Sequence, residues 1–220
     1  MTYAEFYASS LQHPWLLWAS ALVGLLIALA RSELSRGARW FCIVLTGVSM
    51  ADAWLTADDV FGIGPLPAGA SSWLPLFFVL VGDFRYFFFL EAARQDGTLV
   101  MRPKGVLVAC AWTLVVPITS QVVVHAMGSE EPRVLFLVYE VLFVALALGL
   151  YTSYLPKHAN AVGWTRRVTL FVLLYYASWA VADAIIVRTG ADAGFLIRVV
   201  PNLLYYGGFV PAVAWSGPRA

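Results

Sequence analysis

Asp52, Asp83, Glu140, Asp183 and Asn202 fall inside apolar runs where a polar side chain is expensive, and Arg85 follows Asp83 by two residues. At the centre of a membrane-crossing helix, one charge costs about 2.5–3.5 kcal/mol on insertion, so such groups turn toward the protein interior and mark a path or a binding site. Carboxylates held there bind a donor or a cation, or they take up and release a proton. Aromatic residues with polar tips accompany them, namely Trp54, Tyr86, Tyr139, Tyr175, Tyr176, Trp179, Tyr205 and Tyr206. Their hydroxyls and flat faces suit a small polar ligand. The pattern predicts an outward-facing polar pocket. Asp83, Asn202, Trp54, Trp179, Tyr86, Tyr205 and Tyr206 are expected to bind the ligand, with Asp52, Asp183, Arg85 and Glu140 along a proton or ion path.

Asp83 and Arg85 are about 200° apart around a helix, so each needs a partner elsewhere. Asp83 shares a face with Tyr86 and Phe87, while Arg85 is expected to reach Glu140 or Asp183 on another helix. Four acids set against Arg85 and Arg198 leave an excess of negative charge, which makes proton uptake a candidate chemistry. Paired carboxylates also serve intramembrane hydrolases as acid and base, and the pairs to consider are Asp52 with Asp83 and Asp83 with Asp183. That reading is weaker: Gly82-Asp83 lacks the Gly-x-Gly-Asp pattern, no Ser/His pair stands out, and His13, His125 and His158 lie at or near helix ends. The histidines are too dispersed for a metal site, and the sequence predicts none.

The elements that must carry these groups follow from composition. Of the 220 residues, 61% are hydrophobic and 12% charged, with a mean hydropathy of +0.78, whereas a water-soluble domain needs about a quarter of its residues charged. Seven apolar stretches, at about 14–31, 38–57, 73–94, 105–127, 133–155, 166–188 and 195–216, each approach the roughly 20 residues needed to cross a bilayer. Polar or Gly/Pro-bearing connectors at 32–37, 62–72, 95–104, 128–133 and 156–163 separate them. The expected fold is an all-α seven-helix membrane bundle forming one domain over residues 1–220. Glu5 without an early cation argues against a signal peptide, so the first stretch is expected to be retained. Cys42 and Cys110 sit in apolar runs as packing residues.

Cations set the expected orientation. Arg31, Arg36 and Arg39 flank the first connector, Arg94, Arg102 and Lys104 the third, and Lys157, Arg166 and Arg167 the fifth; these loops should face the cytoplasm. The other connectors carry Asp58 and Asp59 with no cation, Glu130 and Glu131 against Arg133, and Asp192 between Arg188 and Arg198. The N-terminus is then outside, and the C-terminus with Arg219 is inside a plasma or bacterial inner membrane. Trp15, Trp18, Trp40, Trp73 and Trp215 fall near the expected membrane surfaces as anchors. Pro117, Pro201, Pro211 and the pair Gly207-Gly208 are places where a helix can bend.

An internal likeness organises the chain further. Ala51-Asp52-Ala53 recurs as Ala182-Asp183-Ala184, with Arg36 and Arg167 at equal offsets, and the segment around Asp83 aligns with that around Asn202. Residues 14–94 and 133–216 then form two parallel three-helix repeats, with 105–127 as the linking helix. This plan, together with Pro201-Asn202 and Gly208, resembles the SWEET and PQ-loop transporters. The resemblance implies transport of a small solute held between Asp83 and Asn202, with Trp54 and Trp179 as flanking aromatics. It departs from the family in lacking the prolines of the first, second, fifth and sixth helices and any Pro-Gln pair. Helix count and orientation also resemble microbial rhodopsins, whose retinal is bound through a lysine of the seventh helix. The only lysines here, Lys104 and Lys157, lie in connectors, so no covalent retinal and no other cofactor is expected. A receptor binding its ligand without a covalent bond is therefore the alternative. The implied partners are the bilayer and a small solute, with a homo-oligomer compatible with the chain; a net charge of +1 offers no stripe for nucleic acid.

Overall fold

The computed structural model describes residues 5–6, 9–55, 68–129 and 131–218, with side chains undescribed at 68–75 and 132. Asp58, Asp59, Pro65, Pro67, Glu130 and Arg219, as well as the side chain of Trp73, lie outside this set. The described chain is all helical apart from one isolated antiparallel bridge between Ala93 and Leu99.

Seven helical rods follow one another. α1 is Pro14–Leu29, α2 Arg36–Leu55, α3 Ala68–Ala92 and α4 Pro103–Ala126. α5 begins at Pro132–Gly149 and runs on through a π turn at Leu150–Tyr154 into Leu155–His158. α6 is Val162–Thr189, and α7 is Ala193–Leu203, a second π turn at Leu204–Gly208, and Phe209–Ser216. α4, α5, α6 and α7 are long and apolar enough to cross a membrane, and α1 is apolar over a shorter 16 residues. In α2 and α3 the apolar runs are interrupted by Arg36, Arg39 and Asp52, and by Asp83, Arg85 and Glu91. These features mark a multi-pass membrane protein.

The connector expected at 156–163 is shorter than predicted, because α5 continues to His158. A proline normally clashes with the carbonyl four residues earlier and ends a helix. Here the widened π turn lies just before Pro156 and carries the helix past it. α7 repeats the device, its π turn lying just before Pro211.

Helices pack largely in chain order, and α7 closes against α1. Trp18 donates from its indole to the Met50 carbonyl of α2 at 2.9 Å. α6 ends at Gly190, whose φ of +65° is a left-handed cap that glycine adopts without a Cβ penalty, and a short turn returns the chain into α7. Between α1 and α7 the backbones touch: a Cβ on Gly24 would land on the Gly207 carbonyl, and one on Gly207 would land on Ser20. Close approach through small residues is how helices associate where lipid supplies no hydrophobic drive.

The C-terminal end of α7 is fastened by its neighbours. Trp164 donates to the Val213 carbonyl at 2.8 Å, Arg167 to Ser216 at 2.5 and 3.0 Å, and Arg31 to Ala214, Gly217 and Pro218. Carbonyls that a helix end leaves unpaired are thereby satisfied by donors from α6 and from the end of α1. In the connector after α3, the Asp96 carboxylate accepts from the Thr98 hydroxyl at 2.7 Å and its N–H at 3.0 Å. Those bonds hold the Asp96 carboxyl below its ordinary pKa.

Of the expected surface tryptophans, Trp15, Trp40 and Trp215 are more than half exposed. Cys42 is buried and Cys110 exposed, both as free thiols.

Candidate functional site

The ionisable groups singled out from the sequence are buried, while Tyr139, Trp179, Tyr205 and Tyr206 are half-buried and Trp54 is exposed. Asp183 is 0% exposed, Asp83 2%, Glu140, Arg85 and Asn202 4%, and Asp52 8%. Burial of so many ionisable groups requires partners for each, and the partners divide them into connected groups.

Asp83 sits near the middle of α3. Its two carboxylate oxygens accept hydrogen bonds from the hydroxyls of Tyr139 on α5 and Tyr176 on α6. The Tyr176 ring is stacked on Phe143 with centroids 3.8 Å apart and meets Trp179 edge-on at 5.4 Å. Trp179 in turn donates its indole N–H to Asn202 at 2.7 Å, and the Asn202 amide donates to Gln12 at 2.5 Å. Asp83 and Asn202 are thus linked through Tyr176 and Trp179.

Arg85 corrects an expectation. It reaches neither Glu140 nor Asp183, but donates to the Ser49 hydroxyl at 3.3 Å and the Tyr205 carbonyl at 2.8 Å. Its guanidinium lies over the Tyr205 ring at 4.0 Å and the Phe209 ring at 4.7 Å. The reason is local: the π turn of α7 disturbs the regular ladder and leaves the Tyr205 carbonyl available to a cross-helix donor. Ser20 serves the preceding turn in the same way, donating to Leu203 at 3.1 Å. A planar fork that both stacks and donates is something lysine cannot copy. Arg85→Lys is expected to lower stability by about 1–3 kcal/mol, comparable to a hydrogen bond from a charged group, read as thermal unfolding in detergent.

Glu140 and Asp183 find other arginines. Arg198 of α7 bridges Asp183 at 2.5 Å and Glu140 at 3.3 Å, and Arg133 of α5 reaches Asp183 at 3.1 Å. The second oxygens, Glu140 Oε2 and Asp183 Oδ2, have no hydrogen-bond partner among the described residues. Asp52 accepts from the Tyr206 hydroxyl at 2.9 Å.

Trp54 is 39% exposed near the end of α2, because two residues beyond the inward Asp52 the helix has turned about 200°. Tyr86 is buried and donates to the Thr169 hydroxyl at 3.0 Å. Tyr205 packs over Gly82, where any Cβ would overlap its hydroxyl. Around Asp83 the Tyr139 and Tyr176 hydroxyls occupy both carboxylate oxygens. A cavity of about 510 Å³ lies elsewhere, as an apolar groove lined by Ser20, Gly24, Phe171, Gly207 and Trp215 among others.

Sequence reasoning missed Gln12, which precedes the first expected span, and Arg133, which stands where the 128–133 connector meets the 133–155 stretch. For Arg133 a signal existed: it precedes Glu140 by seven residues, two turns along one face of α5. Gln12 lies before the first turn of α1, where no periodicity points.

In comparisons with known proteins, no family model, no curated protein and no solved structure matches the chain. Its class rests on its own helices and on the polar groups they bury.

Proposed function

We propose that the chain is a seven-span transporter of a small polar solute, centred on Asp83 and Asn202 and coupled to a proton. The observation that carries this reading is a carboxylate buried near the middle of α3 and held by hydroxyls from two other helices. A bilayer makes such a group costly unless it has a use, and mid-membrane acids of this kind lie on solute or proton routes. The conformation described is closed at Asp83, so a carrier would have to exchange the Tyr139 and Tyr176 hydroxyls for a ligand. The π turn and the Gly207-Gly208 pair of α7 offer a place for that rearrangement. Cation-rich connectors after α1, α3 and α5 support an N-terminus outside and a C-terminus inside. The repeat and the likeness to SWEET and PQ-loop transporters belong to this reading as proposals.

The test is uptake of labelled sugars, amino acids and polyols into cells or proteoliposomes containing the protein. Asp83→Asn and Asn202→Ala are each expected to cut uptake by about 10- to 100-fold, the equivalent of losing one hydrogen bond to a charged or buried group. Uptake at the parental rate in both variants would remove them from the site.

One observation favours a second reading, a seven-helix receptor with a non-covalent ligand. The helices pack largely in chain order, with α7 against α1, which suits one ring around a central ligand. A ligand that raises the melting temperature without any flux would decide for it.

A further inference from the structure

The apolar groove of about 510 Å³ lies where α1 and α7 touch, with Phe171 of α6 as its third wall. It exists because α7 places Gly207, Gly208 and Ala212 on its floor, residues with little or no side chain. From Gly207 to Trp215 it follows α7 for about 12 Å. The α1 rim is open to the side, Val23 being 54% and Ile27 47% exposed. In a multi-pass protein such rims meet lipid tails, so a tail can enter laterally. The polar atoms of the lining are spent within the protein: Ser20 donates to the Leu203 carbonyl at 3.1 Å and the Trp215 indole to the Ile27 carbonyl at 2.9 Å. Beyond the groove, the same helix faces carry cations. Arg167 lies one turn before Phe171 on α6, and Arg31 one turn after Ile27 on α1. Both reach the end of α7 beside Trp215: Arg167 donates through Nε and Nη2 to the Ser216 carbonyl, and Arg31 donates to Ala214, Gly217 and Pro218. Arg31 is buried, whereas Arg167 is exposed and its Nη1 makes no hydrogen bond among the described residues.

We propose that this groove binds a phospholipid with an anionic headgroup, its tail lying against Val23, Phe171 and Ala212 and its phosphate on Arg167. The inference rests on the membrane setting of α1, α6 and α7; it does not require that a solute be carried. An apolar groove cannot by itself select a lipid, because a tail that leaves the bilayer for it exchanges one hydrocarbon contact for another. Selection has to come from the headgroup. A planar guanidinium with N–H groups to spare matches a phosphate better than it matches water or a neutral head. Its tie to Ser216 holds that guanidinium at the end of the groove, so little side-chain freedom is lost on binding. Arg31 adds a second positive charge at the same end, offset in part by Glu33 at 3.8 Å, whose side chain is 47% exposed. Gly207 and Gly208 of the floor belong to the widened turn of α7, so a seated tail packs against that turn.

Full-length protein, stripped of lipid in neutral detergent and given an equimolar mixture of phosphatidylglycerol and phosphatidylcholine with identical tails, tests the proposal by native mass spectrometry. The parent is expected to retain phosphatidylglycerol over phosphatidylcholine by about fivefold, the contribution of one basic residue toward an anionic headgroup. Arg167→Gln is expected to abolish the preference and Arg167→Lys to weaken it, while Arg188→Gln, at the opposite end of α6, removes the same charge and is expected to leave it intact. Ala212→Leu fills the groove and is expected to lower retention of both lipids, with Val23→Phe on the exposed rim as the alternative should the leucine variant not fold. Equal retention of the two lipids by the parent overturns the proposal, as does a preference that survives Arg167→Gln or falls equally with Arg188→Gln. Retention unchanged in a folded groove-filling variant overturns it too. Displacement of the bound lipid by soluble glycerol phosphate would show that the headgroup alone is held, and a two-copy species that Ala212→Leu breaks would give the groove to a second chain; either result sinks the lipid site.

Discussion

Replacing Arg198 with methionine is expected to cost the folded protein about 3–5 kcal/mol, the usual penalty for removing one partner from a buried ion pair. Arg198 bridges two acids, so its loss leaves Glu140 without its arginine and Asp183 with Arg133. The penalty comes chiefly from carboxylates stranded in a medium that solvates them poorly, and only secondarily from the bonds themselves. Removing a charge of each sign should therefore be gentler. Arg198→Met combined with Glu140→Leu is expected to recover much of the lost stability, because Asp183 keeps Arg133. Thermal unfolding of the detergent-solubilised protein, followed by size-exclusion elution, measures both variants. An unchanged melting temperature in Arg198→Met would mean that the ion-pair cluster does not hold α7 to α5 and α6.

The second large effect concerns the α1–α7 contact, where one substitution should have opposite signs at two places. Gly24→Ala inserts a methyl group onto the Gly207 carbonyl, a backbone atom that cannot step aside. Overpacking of this kind costs about 1–3 kcal/mol, and larger residues at Gly24 should separate the helices outright. Gly47→Ala meets nothing within 4 Å, so alanine should stabilise α2 there by up to about 1 kcal/mol through helix propensity. Melting temperatures that move in the same direction for both variants would contradict the described packing.

Much of this architecture could be read from the chain because lipid imposes simple rules. Every helix lies within a few residues of its apolar stretch, as with Pro103–Ala126 against the expected 105–127. The inward turn of Asp52, Asp83, Glu140 and Asp183 was equally legible, since exposure to hydrocarbon would have been prohibitive. Partner choice was not. Arg85 was paired by sign with Glu140 or Asp183, yet it serves a carbonyl, and carbonyls carry no sequence signature. The Asp183–Arg198 pair had a legible element: the two residues lie seven before Gly190 and six after Asp192, so a tight turn sets them at similar depth. Nor does any residue type announce that Leu150–Tyr154 and Leu204–Gly208 take the wider π turn. With Leu204–Gly208 unseen, the stacking of Arg85 on Tyr205 had no basis in spacing.

The fastening of Val213, Ala214 and Ser216 by Trp164, Arg31 and Arg167 has a mechanical consequence. It makes the last two turns of α7 a clamped root, while the widened turn above them acts as a flexure and the segment carrying Asn202 and Arg198 as the lever arm. A tilt of only a few degrees at that flexure would draw the arm's two polar side chains together, so Gln12 and Glu140 would lose their ties in a single stroke rather than one by one.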